Sequence, residues 1–239
     1  MLKRRSCAVC AVRHRALCSA VTRELLPRLG RVAYQRRYGA GQFISGAGQR
    51  QEWFGTILSG VVKLTKAMSD GRQQIVGLLF AADFLGRPFA SISPYAAEAA
   101  TTVELCCIDR QYFEALLASC PDLRQLLLER TLNEMDAARE WMLVLGCKTA
   151  EEKVASLLLL TARRMRAAFG DVHEQPDAVH YDLPLSRAEM AECLGLRIET
   201  VSRQIQRLRA AGVIETDNGR GIRVPDLGRL EQLAGREPG

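Results

Sequence analysis

Residues 186–210, SRAEMAECLGLRIETVSRQIQRLRA, predict two short helices separated by Gly195. Ser186 and Glu189 have the spacing of a capping box, in which each side chain bonds a free backbone N–H at the start of a helix. Two helices joined by a tight turn with glycine are typical of a helix-turn-helix. The second helix has an apolar stripe at helical period, formed by Ile198, Val201, Ile205 and Leu208.

The polar face of this second helix has the side-chain types that bond base edges and phosphates in DNA complexes. The residues that follow, VIETDNGRGIRV at 213–224, form two strand-like runs around Asn218-Gly219, a dipeptide that suits a tight hairpin. A helix-turn-helix followed by a hairpin predicts a winged helix that binds double-stranded DNA; the alternative is a helical hairpin with a solvated charged face. The candidate DNA-binding residues are Arg197, Glu199, Thr200, Ser202, Arg203, Gln206 and Arg207.

Charge is distributed unevenly along the chain, whose formal net charge is +6. The first 37 residues hold 10 Lys and Arg against one acid, Glu24, whereas the residues from Cys147 onward hold 14 of each sign. A local basic patch on one helix is nevertheless sufficient for phosphate contacts. No window has the roughly 18 consecutive apolar residues of a membrane helix, and no signal-peptide core is present, so we expect a cytoplasmic protein without a membrane partner.

Three cysteines near the N-terminus, Cys7, Cys10 and Cys18, form a C-x2-C-x7-C pattern. Thiolates are soft ligands for iron–sulfur clusters and zinc, and two of them at C-x2-C spacing can reach one centre. Both centres commonly take four ligands, so the fourth must come from elsewhere, and His14 could complete a zinc site. Three unrelated cysteines are the alternative, but the spacing favours a metal site.

Residues 30–120 predict a domain of short antiparallel strands, arranged as a jelly roll or barrel. Strand-like runs occur at 42–45, 56–58, 61–68 and 74–80, with Asp70-Gly71 as a hairpin turn. The final run, TTVELCCID at 101–109, contains Cys106 and Cys107. Neighbours on a strand point to opposite faces, so at most one of this pair can face a given site.

Residues 121–146 predict one long helix, for which Pro121 suits the first position. The apolar residues Leu128, Leu132, Met135, Ala138, Met142 and Leu145 repeat every three or four positions. This seam predicts pairing with a second copy of the chain, whereas the alternative is a helix lying on its own barrel. Asp136 and Glu140 lie close to the seam, and like charges meeting across a two-fold axis would make the homodimer marginal.

Gly146 is predicted to end the long helix, and Thr149 with Glu152 forms a second capping box for a helix through about Phe169. His173 and His180 have no partner at metal spacing and are interpreted as surface residues. The resulting α+β chain has four predicted parts. They are a cysteine-rich segment (1–29), a β-barrel sensory domain (30–120), a dimerisation helix (121–146) and a winged helix-turn-helix domain (147–239).

A β-barrel, a long helix and a winged helix in this order resemble the CRP/FNR superfamily of bacterial transcription regulators over nearly the full length. The chain is most similar to the FNR-type oxygen-responsive regulators of the FnrL-like group. The similarity lies in the C-x2-C-x7-C arrangement with VRHRA in its loop, and in residues 75–88 and 132–158. The resemblance implies an N-terminal cyclic-nucleotide-binding-like β jelly roll, a long dimerisation helix and a C-terminal winged helix-turn-helix.

The resemblance also implies a [4Fe–4S] cluster bound by Cys7, Cys10, Cys18 and one cysteine of the last barrel strand. That cysteine maps to Cys106, with Cys107 as the alternative. In the family, the intact cluster favours the dimer at low oxygen, and oxygen degrades the cluster and releases monomers that bind DNA poorly. RNA polymerase is the implied protein partner, for activation or repression.

The E-x-x-S-R pattern of the family's recognition helix corresponds here to Glu199, Ser202 and Arg203. FNR-type proteins bind a TTGAT…ATCAA inverted repeat, and Ile198 stands where CRP-type proteins have an arginine. This difference favours an FNR-type site.

Other functions remain as alternatives. A CRP-type regulator that binds a cyclic nucleotide needs a cation in the barrel, but residues 88–109 contain no Arg or Lys. Arg87 also replaces the family's ribose-binding glutamate, so we expect no cyclic nucleotide. A zinc-structured DNA-binding protein and an iron–sulfur electron carrier use the same cysteines. No catalytic dyad or Gly-rich phosphate loop is apparent, which argues against an enzyme.

Overall fold

The computed structural model describes residues 7–169, 178–217 and 220–235, and the chain divides into two compact units, Met1–Met135 and Asp136–Gly239. Asn218, Gly219 and His173 lie outside the described residues. The architecture is α+β, as predicted: a β-rich N-terminal part, a long helix and a C-terminal helix-turn-helix follow one another. Within the described ranges, no helix has both the length and the apolar character needed to cross a membrane.

The first unit begins with 3-10 turns at Cys7–Val9, Arg13–Arg15 and Leu17–Ala20, followed by α1 (Leu26–Val32). Two antiparallel four-stranded sheets follow, with strand orders β1-β8-β3-β6 and β2-β7-β4-β5, and helix α2 (Arg110–Ser119) comes after the last strand. The strands are β1 (Tyr34–Tyr38), β2 (Phe43–Ser45), β3 (Trp53–Ser59), β4 (Val62–Ala67), β5 (Gln73–Leu79), β6 (Phe84–Leu85), β7 (Ala96–Ala99) and β8 (Val103–Asp109).

The predicted jelly roll is therefore confirmed. The Asp70-Gly71 turn joins β4 to β5 as predicted, with Gly71 in the left-handed conformation at φ 86°. The sequence did not predict β1, YQRRY, or β7, AAEA. The first is mostly polar and the second has small residues with low strand preference, so neither shows the alternation that marks a half-buried strand.

Strand β8 presents different residues to the two sides of its sheet. Val103, Leu105 and Cys107 are buried in a core formed by residues of both sheets. The opposite face has Ile108, which packs against a second apolar cluster formed by the N-terminal segment, α1, α2 and Phe54 of β3. Leu17, Leu26 and Phe113 are among its members. This second cluster holds the N-terminal segment against the barrel.

Helix α3 (Pro121–Cys147) is the predicted long helix. The prediction that Gly146 ends it is wrong, because the helix continues through Gly146 to Cys147. A glycine in a helix costs only about 1 kcal/mol relative to alanine, which neighbouring residues can offset. All residues from 131 to 140 are exposed.

The second unit contains the predicted winged helix. After the end of α3, the described residues of this unit form a three-stranded antiparallel sheet with order β10-β11-β9 and four helices. At the start of α4, the Thr149 amide donates to Glu152 Oε2 at 2.8 Å and the Glu152 amide donates to Thr149 Oγ1 at 3.3 Å, so this capping box is confirmed. The elements are α4 (Ala150–Phe169), β9 (Val179–Asp182), α5 (Arg187–Leu194), α6 (Ile198–Ala210), β10 (Glu215–Thr216), β11 (Gly221–Val224) and α7 (Leu227–Leu233).

Candidate functional site

Helices α5 and α6 form a helix-turn-helix because both ends of α5 are fixed by local bonds. At its start, Ser186 Oγ accepts from the Glu189 amide at 3.3 Å, and Glu189 Oε2 accepts from the Ser186 amide at 2.7 Å. At its end, Gly195 adopts the left-handed conformation at φ 62°, which glycine enters without steric cost. The chain then turns within three residues, and α6 begins at Ile198.

The inner face of α6 contains three of the four predicted apolar residues. Val201, Ile205 and Leu208 are buried, and α6 packs against α4 and α5. Ile198 is 48% exposed, so its predicted place in the buried stripe is wrong. Side chains in a helix lean toward its N-terminus, and at the first position they therefore project beyond the helix end. Gln204, which the sequence did not single out, is buried, and its Oε1 has no hydrogen-bond partner among the described residues.

The outer face of α6 has the predicted DNA-binding side chains. Thr200 and Ser202 are half-buried, and the remaining five, Arg197, Glu199, Arg203, Gln206 and Arg207, are exposed. No described residue forms an ion pair with the three arginines of this set. Their guanidinium groups are therefore available for phosphates or base edges.

The wing beside this helix is a short antiparallel hairpin of β10 and β11. Arg223 pairs with Glu215 across the two strands at 3.0 Å, and Asp217 Oδ1 accepts from the Gly221 amide at 3.0 Å. His180, on the neighbouring strand β9, is exposed, as predicted for a surface residue.

A second group of candidate residues lies in the first unit, where Cys106 of β8 shares one neighbourhood with Cys7, Cys10 and Cys18. Burial raises the pKa of Cys106 to about 12, and the charges of the three N-terminal thiols contribute to this rise. Burial likewise raises the pKa of Cys18 to about 11, with contributions from Cys10 and Cys7. We call these four residues the four-cysteine group.

Apolar contacts hold the N-terminal members of the four-cysteine group in place. Cys7 and Cys18 pack against the cluster of Leu17, Leu26 and Phe113, while Cys10 and Cys18 pack against a smaller one. That smaller cluster consists of Val12, Ala16 and Ala82. Gly30 lies beside Cys7, because a Cβ added to Gly30 would come within 3.5 Å of Cys7 Sγ. Apolar packing with core residues therefore holds the N-terminal segment close to β8.

Cys107 has different surroundings from Cys106. It is fully buried between the two sheets, and burial raises its pKa to about 12. The charges that influence this pKa are those of Arg36, Cys106 and Asp109, and none belongs to the N-terminal cysteines. The pairing register explains the difference: Cys106 lies opposite Thr56 of β3, on the face that also presents Phe54 to the helices.

The four-cysteine group has the donor atoms of a metal centre but not the arrangement of metal ligands. In the part of the chain that the structure describes, no three or more His, Cys, Asp or Glu side chains are grouped as metal ligands are. His14, the alternative zinc ligand, is exposed. The raised pKa values of Cys7, Cys18 and Cys106 disfavour free thiolates, but a bound metal stabilises thiolates, so these residues suit a cationic centre. The residues therefore fit a soft metal centre in their chemistry.

An exposed apolar stripe runs along α3. Leu128, Leu132, Met135 and Met142 are large hydrophobic residues with exposed side chains, and Leu145 is half-buried. Leu143, outside the predicted seam, is also exposed. Asp136 pairs with Arg139 of the same helix at 2.9 Å, so part of its charge is offset within the chain. Several large apolar side chains exposed together along one helix are typical of a protein interface.

Two known domain families match this chain. A cyclic nucleotide-binding domain matches residues 35–120, and a Crp-like helix-turn-helix domain matches residues 152–233. Among solved structures, that of FixK2 from Bradyrhizobium japonicum is similar, with a TM-score of 0.75 and 29% identity. The similarity covers 87% of this chain and 100% of that one.

The similarity to two further relatives extends along almost the whole chain. A probable transcriptional activator of Rhizobium leguminosarum bv. viciae is 47% identical, over 95% of this chain and 92% of the relative. The transcriptional activator protein FnrL of Cereibacter sphaeroides is 44% identical, over 96% of this chain and 92% of the relative. These relatives are transcription regulators rather than enzymes. By its two domains and by this similarity, the chain belongs to the CRP/FNR family of DNA-binding transcription regulators.

Proposed function

We propose that this regulator responds to oxygen through a [4Fe–4S] cluster held by Cys7, Cys10, Cys18 and Cys106. The cluster would promote dimerisation and binding to a TTGAT…ATCAA inverted repeat at low oxygen. The observation that carries the proposal is that the N-terminal segment, with Cys7 and Cys18, packs on the same apolar cluster as Ile108 of β8. Cys106 of the same strand is close enough to the three N-terminal thiols for their charges to raise its pKa. Soft thiols collected at one place are the ligands that iron–sulfur clusters take.

The cluster, when bound, would supply oxygen-sensitive bonds between the N-terminal segment and β8. The protein's own contribution is to bring the thiols together and to limit their contact with water. Cys18 and Cys106 are half-buried, and burial is the largest cause of the raised pKa of each. Arg13 acts in the opposite direction, because its charge lowers the pKa of Cys7 and Cys18 and so favours their thiolates.

Dimerisation would use the exposed stripe of α3. Burying one large apolar side chain contributes about 1.5–3 kcal/mol, so a few exposed residues in each copy can support a dimer of moderate stability. The middle of the seam lies in the exposed residues 131–140, together with Asp136, Arg139 and Glu140. When the dimer is only moderately stable, a ligand that favours the monomer or the dimer by a few kcal/mol can shift the equilibrium between them.

DNA recognition would use Glu199, Ser202 and Arg203 of each copy. Arginine can bond guanine O6 and N7, and glutamate can accept from cytosine N4. One α6 presents only a small contact surface, whereas two copies can bind paired half-sites, so affinity for the repeat would depend on the dimer. RNA polymerase is the proposed protein partner at the promoter.

A cyclic nucleotide is not the proposed signal, although the first domain belongs to a nucleotide-binding family. Lys63 of β4 is buried, and it pairs with Glu98 of β7 at 2.8 Å in a nearly buried ion pair. Its charge is therefore already compensated. Arg87 is exposed to solvent at the surface of the domain.

The proposal is tested by measuring iron, acid-labile sulfide and mass in solution for protein purified without oxygen, before and after air. We expect equal amounts of iron and sulfide, visible colour, and a dimer that dissociates as both are lost. Colourless protein with zinc and no sulfide would instead support the zinc alternative. A mass that is independent of air would contradict the proposed switch.

A further inference from the structure

Arg130 of α3 connects three segments of the first unit. Its Nη2 donates to the carbonyl oxygen of Arg15, and its Nη1 donates to the carbonyl oxygen of Ala82 at 3.4 Å. Arg15 belongs to the loop between Cys10 and Cys18, which we call the cysteine loop (residues 10–18). Ala82 follows β5 in the barrel. One half-buried guanidinium therefore joins the long helix to the cysteine loop and to the barrel.

The two carbonyl groups come together because the cysteine loop packs on the barrel at this point. Val12, Ala16 and Ala82 form the small buried cluster, against which Cys10 and Cys18 also lie. Ala82 has a positive φ of 78°, and its amide donates to the Ile57 carbonyl at 2.8 Å. A non-glycine residue adopts this conformation only where the surrounding structure stabilises it. One of the two acceptors of Arg130, the Arg15 carbonyl, belongs to the cysteine loop, so the double contact depends on the arrangement of that loop.

Arg130 occupies the same turns of α3 as the first residues of the dimer seam. Leu128 and Leu132 are each two positions away, which places them roughly half a turn around the helix. Both are exposed, whereas Arg130 is half-buried toward the loop and barrel. This part of α3 therefore contacts the cysteine loop on one face and presents the seam on another.

We infer that Arg130 is a positioning residue that couples the arrangement of the cysteine loop to the dimer seam. The inference rests on the proposed function, since it concerns how a change at the four-cysteine group affects α3. While the loop keeps its arrangement, Arg130 holds this part of α3 through two carbonyl groups. A rearranged loop removes the Arg15 carbonyl and leaves a half-buried cation with a missing acceptor, which favours movement of the helix.

The side-chain type suits this role. An arginine has a planar fork of donors that can bond two separate carbonyl groups at once, while a lysine ammonium is a compact charge on a flexible stem. Replacement by lysine keeps the charge and much of the packing but weakens the double contact. Arg130→Lys therefore separates the contribution of the fork from that of the charge.

The test uses the full chain with Arg130→Ala and Arg130→Lys, and with Arg124→Ala as the matched control. Arg124 is exposed on the same helix, and no described side chain bonds it. For each protein, the dimer dissociation constant is measured by sedimentation before and after air, beside iron and sulfide content. The dissociation constant after air, divided by the one before air, measures the coupling.

We expect Arg130→Ala to keep its iron and sulfide while its anaerobic dimer weakens about tenfold or more, so that the ratio falls by the same factor. Arg130→Lys should give an intermediate ratio, and Arg124→Ala should match the wild type. A wild-type ratio in Arg130→Ala would overturn the inference, as would loss of iron from that variant, because Arg130 would then only support the loop. A wild-type protein without iron, or with a ratio of one, would instead refute the proposed function itself.

Discussion

Cys106 and Cys107 are adjacent in the chain but lie on opposite faces of β8, with one beside the N-terminal thiols and the other buried between the sheets. Their surroundings therefore predict opposite effects for the same substitution. Only a residue on the Cys106 face can take part in a site with Cys7, Cys10 and Cys18.

We predict that Cys106→Ser lowers iron and sulfide content to background under anaerobic purification, while Cys107→Ser retains both. Cys107→Ser places a hydroxyl in an apolar core and should lower the free energy of unfolding by about 1–3 kcal/mol. Metal analysis and thermal unfolding of the two variants measure these effects. Iron retained in Cys106→Ser but lost in a folded Cys107→Ser would reverse the assignment.

Cys18→Ser should abolish the cluster and the anaerobic dimer while the fold persists, because Cys18 is only partly buried. Circular dichroism checks the fold, and sedimentation with an electrophoretic shift assay checks the dimer and DNA binding. Cys147→Ser is a suitable control, since Cys147 is exposed at the end of α3. Undiminished anaerobic DNA binding by Cys18→Ser would be incompatible with the cluster switch.

Leu132→Glu should shift the chain toward the monomer, because it places a charge in the exposed stripe of α3 and repeats it across the two-fold axis of the proposed dimer. The loss of apolar burial alone is worth about 1.5–3 kcal/mol per side chain. Ala137→Glu is the control, since Ala137 is exposed on the opposite side of the same helix. Equal dimer dissociation constants for the two variants would place the interface elsewhere.

Arg203→Ala should weaken binding to the TTGAT…ATCAA repeat by about 1–3 kcal/mol and relax the preference at one base pair. Arg209→Ala, on the last turn of α6, provides a comparison. Any effect of that change should be similar for all sequences, as expected for a phosphate contact. Binding assays with single-base variants of the site distinguish the two. An unchanged base preference in Arg203→Ala would exclude its proposed role.

Ser186→Ala should lower the stability of the second unit by about 0.5–2 kcal/mol, because it removes one half of the capping box of α5. Thermal unfolding measures the loss, and Ser186→Thr, which keeps the hydroxyl, should restore most of it. A melting temperature equal to that of the wild type would show that the cap contributes little.

Local patterns predicted most of the elements around the candidate site. The capping boxes at Ser186 and Thr149 were predicted because a cap involves residues only three positions apart. The outer face of α6 followed from helical period, although Ile198 at its first position was misplaced. Strand β7 was missed because its pairing with distant strands outweighed weak local preferences. The prediction for Gly146 was wrong because the small cost of one glycine did not end the helix there.

Arg130 had no signal in the sequence, since one arginine in a charged helix resembles its exposed neighbours. Its contacts depend on carbonyl groups 115 and 48 positions away. Leu143 was missed for a related reason: it lies outside the regular seam, and its exposure depends on which other elements pack against the helix.

The sequence by itself determined the helix-turn-helix, the long apolar-striped helix and the spacing of Cys7, Cys10 and Cys18, because each depends on residues close together in the chain. Only the tertiary structure decided which of Cys106 and Cys107 meets those thiols and which side chain joins their loop to α3. The register of β8 and the packing of the N-terminal segment on the barrel set both relationships. Such contacts arise from the burial of apolar surface contributed by distant parts of the chain.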